Sequence, residues 1–259
     1  MPFTLSHPAA VLPLLPGGGR WAVAGVGSAL AIGSMTPDLP YYVGMDALRP
    51  STHTLASVVW FAVPAGLVAW LALQHLLKAP GLFLLPRAFA ARIDPAPARL
   101  HPVAVPLALA LGALTHVVWD TITHETGFAL RGVPGLETLA GDAADVRLWT
   151  YGVLQYGSTL GGALVLALWT RAWLRRTPAG RRPASPGLPP GWRGPLRGAL
   201  SVAPPAVGLA VAFAWAPPRA GALAVAGFLT HVAVASVSCA VALLLGLGLV
   251  ARLRARAEA

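Results

Sequence analysis

His116, Asp120 and His124 stand at intervals of four in ALTHVVWDTITHET, Ala113 to Thr126. Residues four apart share one face of an α-helix, so His116 and Asp120 can bind one divalent ion from a single stripe, with His124 a turn further on. On its own, HxxxD reads equally as a surface pair or a helix cap. Here it follows PVAVPLALALG, a run without charge. An ionisable group in so apolar a segment is costly unless paired or functional, which weakens the bland reading. Other residues of the same chemistry lie at segment ends: His7 in SHP, Asp38 behind Pro37 in SMTPDLPYY, and His53 in RPSTHT. Each alone is explained by capping or packing. The one cysteine, Cys239, lies in a distant apolar segment, so any metal must be held by imidazole and carboxylate. Such a donor set suits zinc first, with manganese or iron as alternatives.

The elements that must position these residues are membrane helices. Of 259 residues, 56% are hydrophobic and only 11% charged, and the mean hydropathy of +0.66 lies outside the range of soluble domains. Four stretches meet the length of about 17–25 residues needed to cross a bilayer. They are Leu55–Leu77, Val103–Thr123, Tyr151–Leu174 and Gly221–Val250. Ala199–Ala216 is long enough but carries Pro204-Pro205. Phe3–Leu15 and Trp21–Met35 are short arms, read as a hairpin turning at Gly17-Gly18-Gly19, spanning or re-entrant. No basic leader with a cleavage site is seen, so the first residues are expected to belong to the fold. The expected fold is an all-α polytopic membrane bundle of five long transmembrane helices plus this N-terminal short-helix hairpin. Its expected divisions are a metal-site domain (1–176), a Pro/Gly/Arg-rich linker (177–197) and a terminal helix pair with a basic tail (198–259). Thr177–Gly194 is expected to be a flexible loop.

The formal net charge of +10 invites a nucleic-acid reading, which the placement of charge opposes. Basic residues gather at Lys78–Arg99, Arg171–Arg197 and Arg252–Arg256, between or after apolar segments, without the interleaving of aromatics that a nucleic-acid platform needs. They alternate with acidic regions, Asp38 and Asp46, then Glu125, Glu137, Asp142 and Asp145. The positive-inside rule puts the basic regions and the C-terminus in the cytoplasm and the acidic loops outside. His7, Asp38, His53, His116, Asp120, His124 and Gln155 then converge on the outer face. His75 and His101 are expected at the inner interface. His231 is expected to be a packed histidine bonded to a backbone carbonyl, Gly161-Gly162 a helix-packing surface, and tryptophans such as Trp60, Trp70 and Trp119 interfacial belts.

MPFTLSHPAAVLPL, AIGSMTPDLPYY, STHTL, THVVWDTITHETG and LQYGSTLGG resemble an uncharacterised family of bacterial membrane proteins, domain of unknown function family 4184. More loosely, the order His, PD, (S/T)H, (S/T)HxxxD resembles the membrane-bound metal-dependent hydrolase group. The chain departs from that group at Pro40, where a second Asp would stand, and lacks a further histidine before STH. The resemblance implies a bacterial inner-membrane protein with a metal at His7, Asp38, His53, His116 and Asp120. The expected activity is metal-dependent hydrolysis of a phosphoester or ester of a lipid or lipid-linked substrate at the outer face. Glu125 or His124 would act as general base, and Tyr156 or Arg131 would steady negative charge. A metal-stabilised scaffold is the alternative. A transporter fits less well because the inner helix halves are apolar, and a lipid or isoprenoid transferase lacks a DDxxD-like motif.

Overall fold

The computed structural model describes residues 3–15, 25–123, 144–215 (182, 184 and 186 apart) and 222–258, without the side chains of 144–152, 222–224 and 226. Among them every regular element is helical. In chain order these are α1 (Val26–Gly33), α2 (Leu39–Tyr42), α3 (Arg49–Thr52), α4 (Val58–Leu84), α5 (Arg87–Ala90), α6 (Ala104–Thr123), α7 (Ala144–Arg176), α8 (Arg193–Trp215) and α9 (Ala222–Ala257). Within the described residues, five helices are long and apolar enough to cross a membrane, in α4 and α6 to α9, as a multi-pass membrane protein requires. α8 runs unbroken through Pro204 and Pro205, at the cost of two backbone donors that apolar helices often forgo.

The N-terminal arms differ from regular helices for identifiable reasons. Thr4–Leu14 is a 3-10 helix containing Pro8 and Pro13. Each proline lacks an N–H and crowds the preceding turn, which disfavours the α ladder. At about 2.0 Å per residue this segment reaches about 22 Å, short of a bilayer core of about 30 Å. α1 is shorter still, and the Gly17–Gly19 turn lies outside the described residues.

The described chain divides into two compact units, with the boundary inside α4. Unit 1 contains residues 1–39, 46–70 and 98–176. In it α1 lies directly on α6, because both helices present glycine at the crossing. A Cβ at Gly33 would stand 2.8 Å from Leu109 Cα, and one at Gly112 would stand 2.7 Å from the Ser34 nitrogen. The 3-10 segment packs on α7, where Gly162 makes room for Ser6 and the Phe3 N–H donates to Thr159 Oγ1 at 2.9 Å. Val58, Ala62, Ala113 and Val117 form a small core between α4 and α6. Trp70 is fully buried, donating to the Gly25 carbonyl (3.1 Å), so it is a packing residue rather than part of an interfacial belt.

Unit 2 contains residues 40–45, 71–97 and 177–259. α8 and α9 pair at Gly208, and Phe83, Leu188 and Ala251 form its core. The expected flexible stretch Thr177–Gly194 is tied down where it is described: the Gly180 N–H donates to the Ala91 carbonyl (2.7 Å) and Arg92 Nε to the Thr177 carbonyl (2.7 Å). Its last turn already begins helix α8. His231 donates Nδ1–H to the Gly227 carbonyl as expected, but is exposed rather than packed.

Candidate metal centre

Five side chains from four segments of unit 1, His116 and Asp120 sharing α6, meet at one point. Pro37 begins the construction. It supplies no N–H, and the next N–H, of Asp38, turns back to the Met35 carbonyl (3.2 Å) in a 3-10 turn. Neither donor that an α-helix would aim at the Ser34 carbonyl is therefore available to it. That carbonyl instead accepts Nδ1–H of His116 at 2.7 Å. The same turn buries Asp38 completely, and Thr4 donates its hydroxyl to Asp38 Oδ2 at 2.6 Å. Thr52 fastens α3 to this turn by donating to the Pro37 carbonyl (3.1 Å), and His53 caps α3. His53 Nδ1–H faces the Arg49 carbonyl at 3.1 Å.

A carbonyl can only accept, so Nδ1 of His116 and of His53 carries a proton. In the neutral imidazoles that a metal requires, each Nε2 then presents a lone pair. Those two nitrogens face one another at 3.3 Å. Asp38 Oδ1 lies 3.2 Å from His53 Nε2 and 3.6 Å from His116 Nε2. Asp120 Oδ2 lies 3.6 Å from both nitrogens. Four electron-pair donors facing inward repel unless a cation sits among them. A tetrahedron with metal–ligand bonds of about 2.0–2.1 Å has edges of about 3.3–3.4 Å. The three separations among His53, His116 and Asp120, 3.3–3.6 Å, are close to that. His7 Nε2, 3.7 Å from Asp120 Oδ1, is buried without a hydrogen-bond partner among the described residues, and its ring stacks on His116 at 3.8 Å. The residues present therefore fit a divalent cation, and they fall into two overlapping ligand groups, His7–Asp38–His116 and His53–His116–Asp120.

Electrostatics agrees. Of the two buried carboxylates, Asp120 has Arg49 as a cationic neighbour, its Nη2 3.6 Å from Oδ2. A divalent ion offsets the remaining negative charge that burial would otherwise penalise. Burial pushes the His7 imidazole down to about 4, so it is neutral and able to ligate near pH 7. Burial opposes ionisation of Asp38; a protonated His116 and the hydrogen bonds from His53 and Thr4 outweigh it and hold the carboxyl below its ordinary value, and a bound cation would take the place of that proton. Thr4→Val removes a hydroxyl that orients a ligand and is expected to weaken metal affinity about 10–100-fold with the fold intact. Isothermal titration of the chelator-stripped protein checks this, and unchanged affinity would show that Thr4 merely packs.

The structure thus brings together His7, Asp38, His53, His116 and Asp120. His124, Glu125 and Arg131 lie outside the described residues. Tyr156 is exposed, at 53%, rather than directed into the cluster, and Gln155 donates to the Thr123 carbonyl (3.3 Å) at the end of α6. Sequence reasoning missed Arg49, Thr4 and Ser34. Arg49 had a signal: it lies four residues before His53 and is basic within an otherwise acidic region. The Ser34 carbonyl had none, since its role depends on the approach of α6.

The family model described as "Domain of unknown function (DUF4184)" matches residues 1–251, and the chain belongs to that family. No curated protein and no solved structure matches it.

Proposed function

We propose that this DUF4184 member is a metal-dependent hydrolase of the bacterial inner membrane, cleaving a phosphoester or ester of a lipid or lipid-linked substrate at the outer face. The observation that carries the reading is the facing pair of Nε2 atoms of His53 and His116, set among carboxylate oxygens at 3.2–3.6 Å. A divalent ion, zinc foremost with manganese or iron as alternatives, would be held by His53, His116, Asp38 and Asp120, with His7 beside them. Bound there, it supplies Lewis-acid polarisation of a phosphoryl or carbonyl oxygen and lowers the pKa of water.

The chain's own residues do the rest. Ser34, Arg49 and Thr4 fix His116, His53 and Asp38 through the bonds already described, which keeps the donors preorganised. Arg49 takes the role expected of Tyr156 or Arg131. Its side chain is partly exposed, and its buried Nε has no hydrogen-bond partner among the described residues, so it has a donor left for a substrate oxyanion. Glu125 or His124, following Asp120 closely in sequence, would take the proton from the attacking water.

The experiment is phosphate release from phosphatidic acid, and p-nitrophenol release from p-nitrophenyl palmitate, by the purified full chain. Turnover that stops with chelator and returns with zinc is expected. Arg49→Gln should lower kcat about 10²–10³-fold with metal content unchanged. Tightly held metal without turnover on either probe favours the alternative, a metal-stabilised membrane scaffold whose protein ligands fill the coordination sphere. The sidedness is tested with Asp46→Cys and Arg181→Cys, each in a Cys239→Ser background. Labelling from opposite faces of the membrane is expected, and labelling from one face refutes the shared outer site.

A further inference from the structure

Beside the metal centre, the 3-10 segment, α6 and α7 enclose a groove of about 510 Å³ within unit 1. Its walls are almost wholly apolar, including Ala10, Trp119, Val153, Gly157 and Gly161, and its polar edge includes His7. We propose that the groove seats the hydrocarbon chain of an anionic amphiphile whose head lies at the metal centre, which makes the substrate class a long-chain alkyl or acyl phosphate. The inference rests on the reading of the centre as a metal-dependent hydrolase.

His7 joins the two regions. It lines the groove, yet only 4% of it is exposed, and its Nε2 lacks a hydrogen-bond partner among the described residues while lying 3.7 Å from Asp120 Oδ1. A chain lying in the groove is therefore in reach of a residue of the metal centre, and an amphiphile complements both the apolar walls and that centre. The glycines separate packing from opening. Gly162 is needed for packing, since a Cβ there would stand 2.9 Å from Ser6 Cβ. Among the described residues a Cβ at Gly157 or Gly161 meets nothing within 4 Å, so packing against them does not explain the absence of a side chain, and that absence keeps the groove open. The groove is also reachable from hydrocarbon. Val153–Arg176 of α7 is apolar enough to span a membrane, and its apolar window is not covered by the rest of the described protein. A chain already dissolved in the bilayer can enter sideways, without passing through water. The volume lies within the ordinary range of small-ligand sites, about 300–1,000 Å³. Because surrounding lipid is as apolar as the groove, the groove positions the chain while the head supplies affinity.

The test uses hexadecyl phosphate carrying a diazirine at mid-chain, with the full chain in phosphatidylcholine nanodiscs and added zinc. Photolabelling is expected on peptides covering 6–10 and 153–165, and excess unlabelled hexadecyl phosphate should suppress it. In Gly157→Leu/Gly161→Leu, whose new side chains have room, labelling should fall about tenfold while metal content stays at the wild-type level. Label spread over all lipid-facing helices, insensitive to competitor or to the double substitution, overturns the proposal and makes the groove an ordinary lipid contact. Metal-loaded protein without groove labelling overturns the groove alone. Competed groove labelling in a wild-type protein that binds no metal supports the groove and overturns the hydrolase reading.

Discussion

His116→Ala is expected to abolish metal binding and to make the protein's thermal stability indifferent to chelator. The imidazole is fully buried and central: its Nε2 faces His53 Nε2 and both carboxylates, and it belongs to both ligand groups. Its removal leaves each group one donor short. Loss of a residue that only orients a ligand costs about 10–100-fold in affinity, and loss of this ligand should exceed that. Binding to the native state alone raises stability by about 2.7 kcal/mol at a hundredfold excess over Kd. Chelation should therefore lower the Tm of the wild type and leave His116→Ala unmoved. Asp120→Asn should behave similarly, since it removes a negative ligand and leaves Arg49 facing a neutral amide. Wild-type metal content in either variant would mean that these are structural residues.

Gly112→Ala is expected to damage the fold and the centre together. The added Cβ would meet the Leu30 carbonyl oxygen and stand 2.7 Å from the Ser34 nitrogen, all of it backbone in α1 or its final turn. Backbone cannot swing aside as a side chain can, so α1 must move off α6. Overpacking of this kind costs about 1–3 kcal/mol. The consequence is local as well, because the Ser34 carbonyl positions His116 Nδ1. A lowered Tm accompanied by weakened zinc affinity is the expected pair of readings. Gly157→Ala is the control, with open space around its Cβ, and should melt like wild type. A Gly112→Ala protein matching wild type in both readings would show that the helices do not meet as closely as described.

The contrast between these residues explains what the sequence could reveal. Long apolar stretches and ionisable residues inside or beside them are written in residue type, so the five membrane helices and the candidates His7, Asp38, His53, His116 and Asp120 were legible. Legibility declined where backbone chemistry carries the effect. The Ser34 carbonyl matters because Pro37 withholds a donor and α6 delivers His116, and no property of serine announces it. Thr4 looked like any N-terminal hydroxyl until the 3-10 coil of Thr4–Leu14 turned it to Asp38. Trp70 resembled an interfacial residue, yet its indole closes on the N-terminal end of α1. Arg49 was readable from its spacing to His53, and was obscured by the acidic character of the region around it.

The central claim is that the converging imidazoles and carboxylates hold a divalent ion. Inductively coupled plasma mass spectrometry of the full chain, purified without added metal or chelator, tests it most directly. The account predicts about one divalent ion per chain, zinc foremost, with none retained by His116→Ala. Wild-type protein that is folded, free of divalent metal and unable to take up zinc on titration would contradict it.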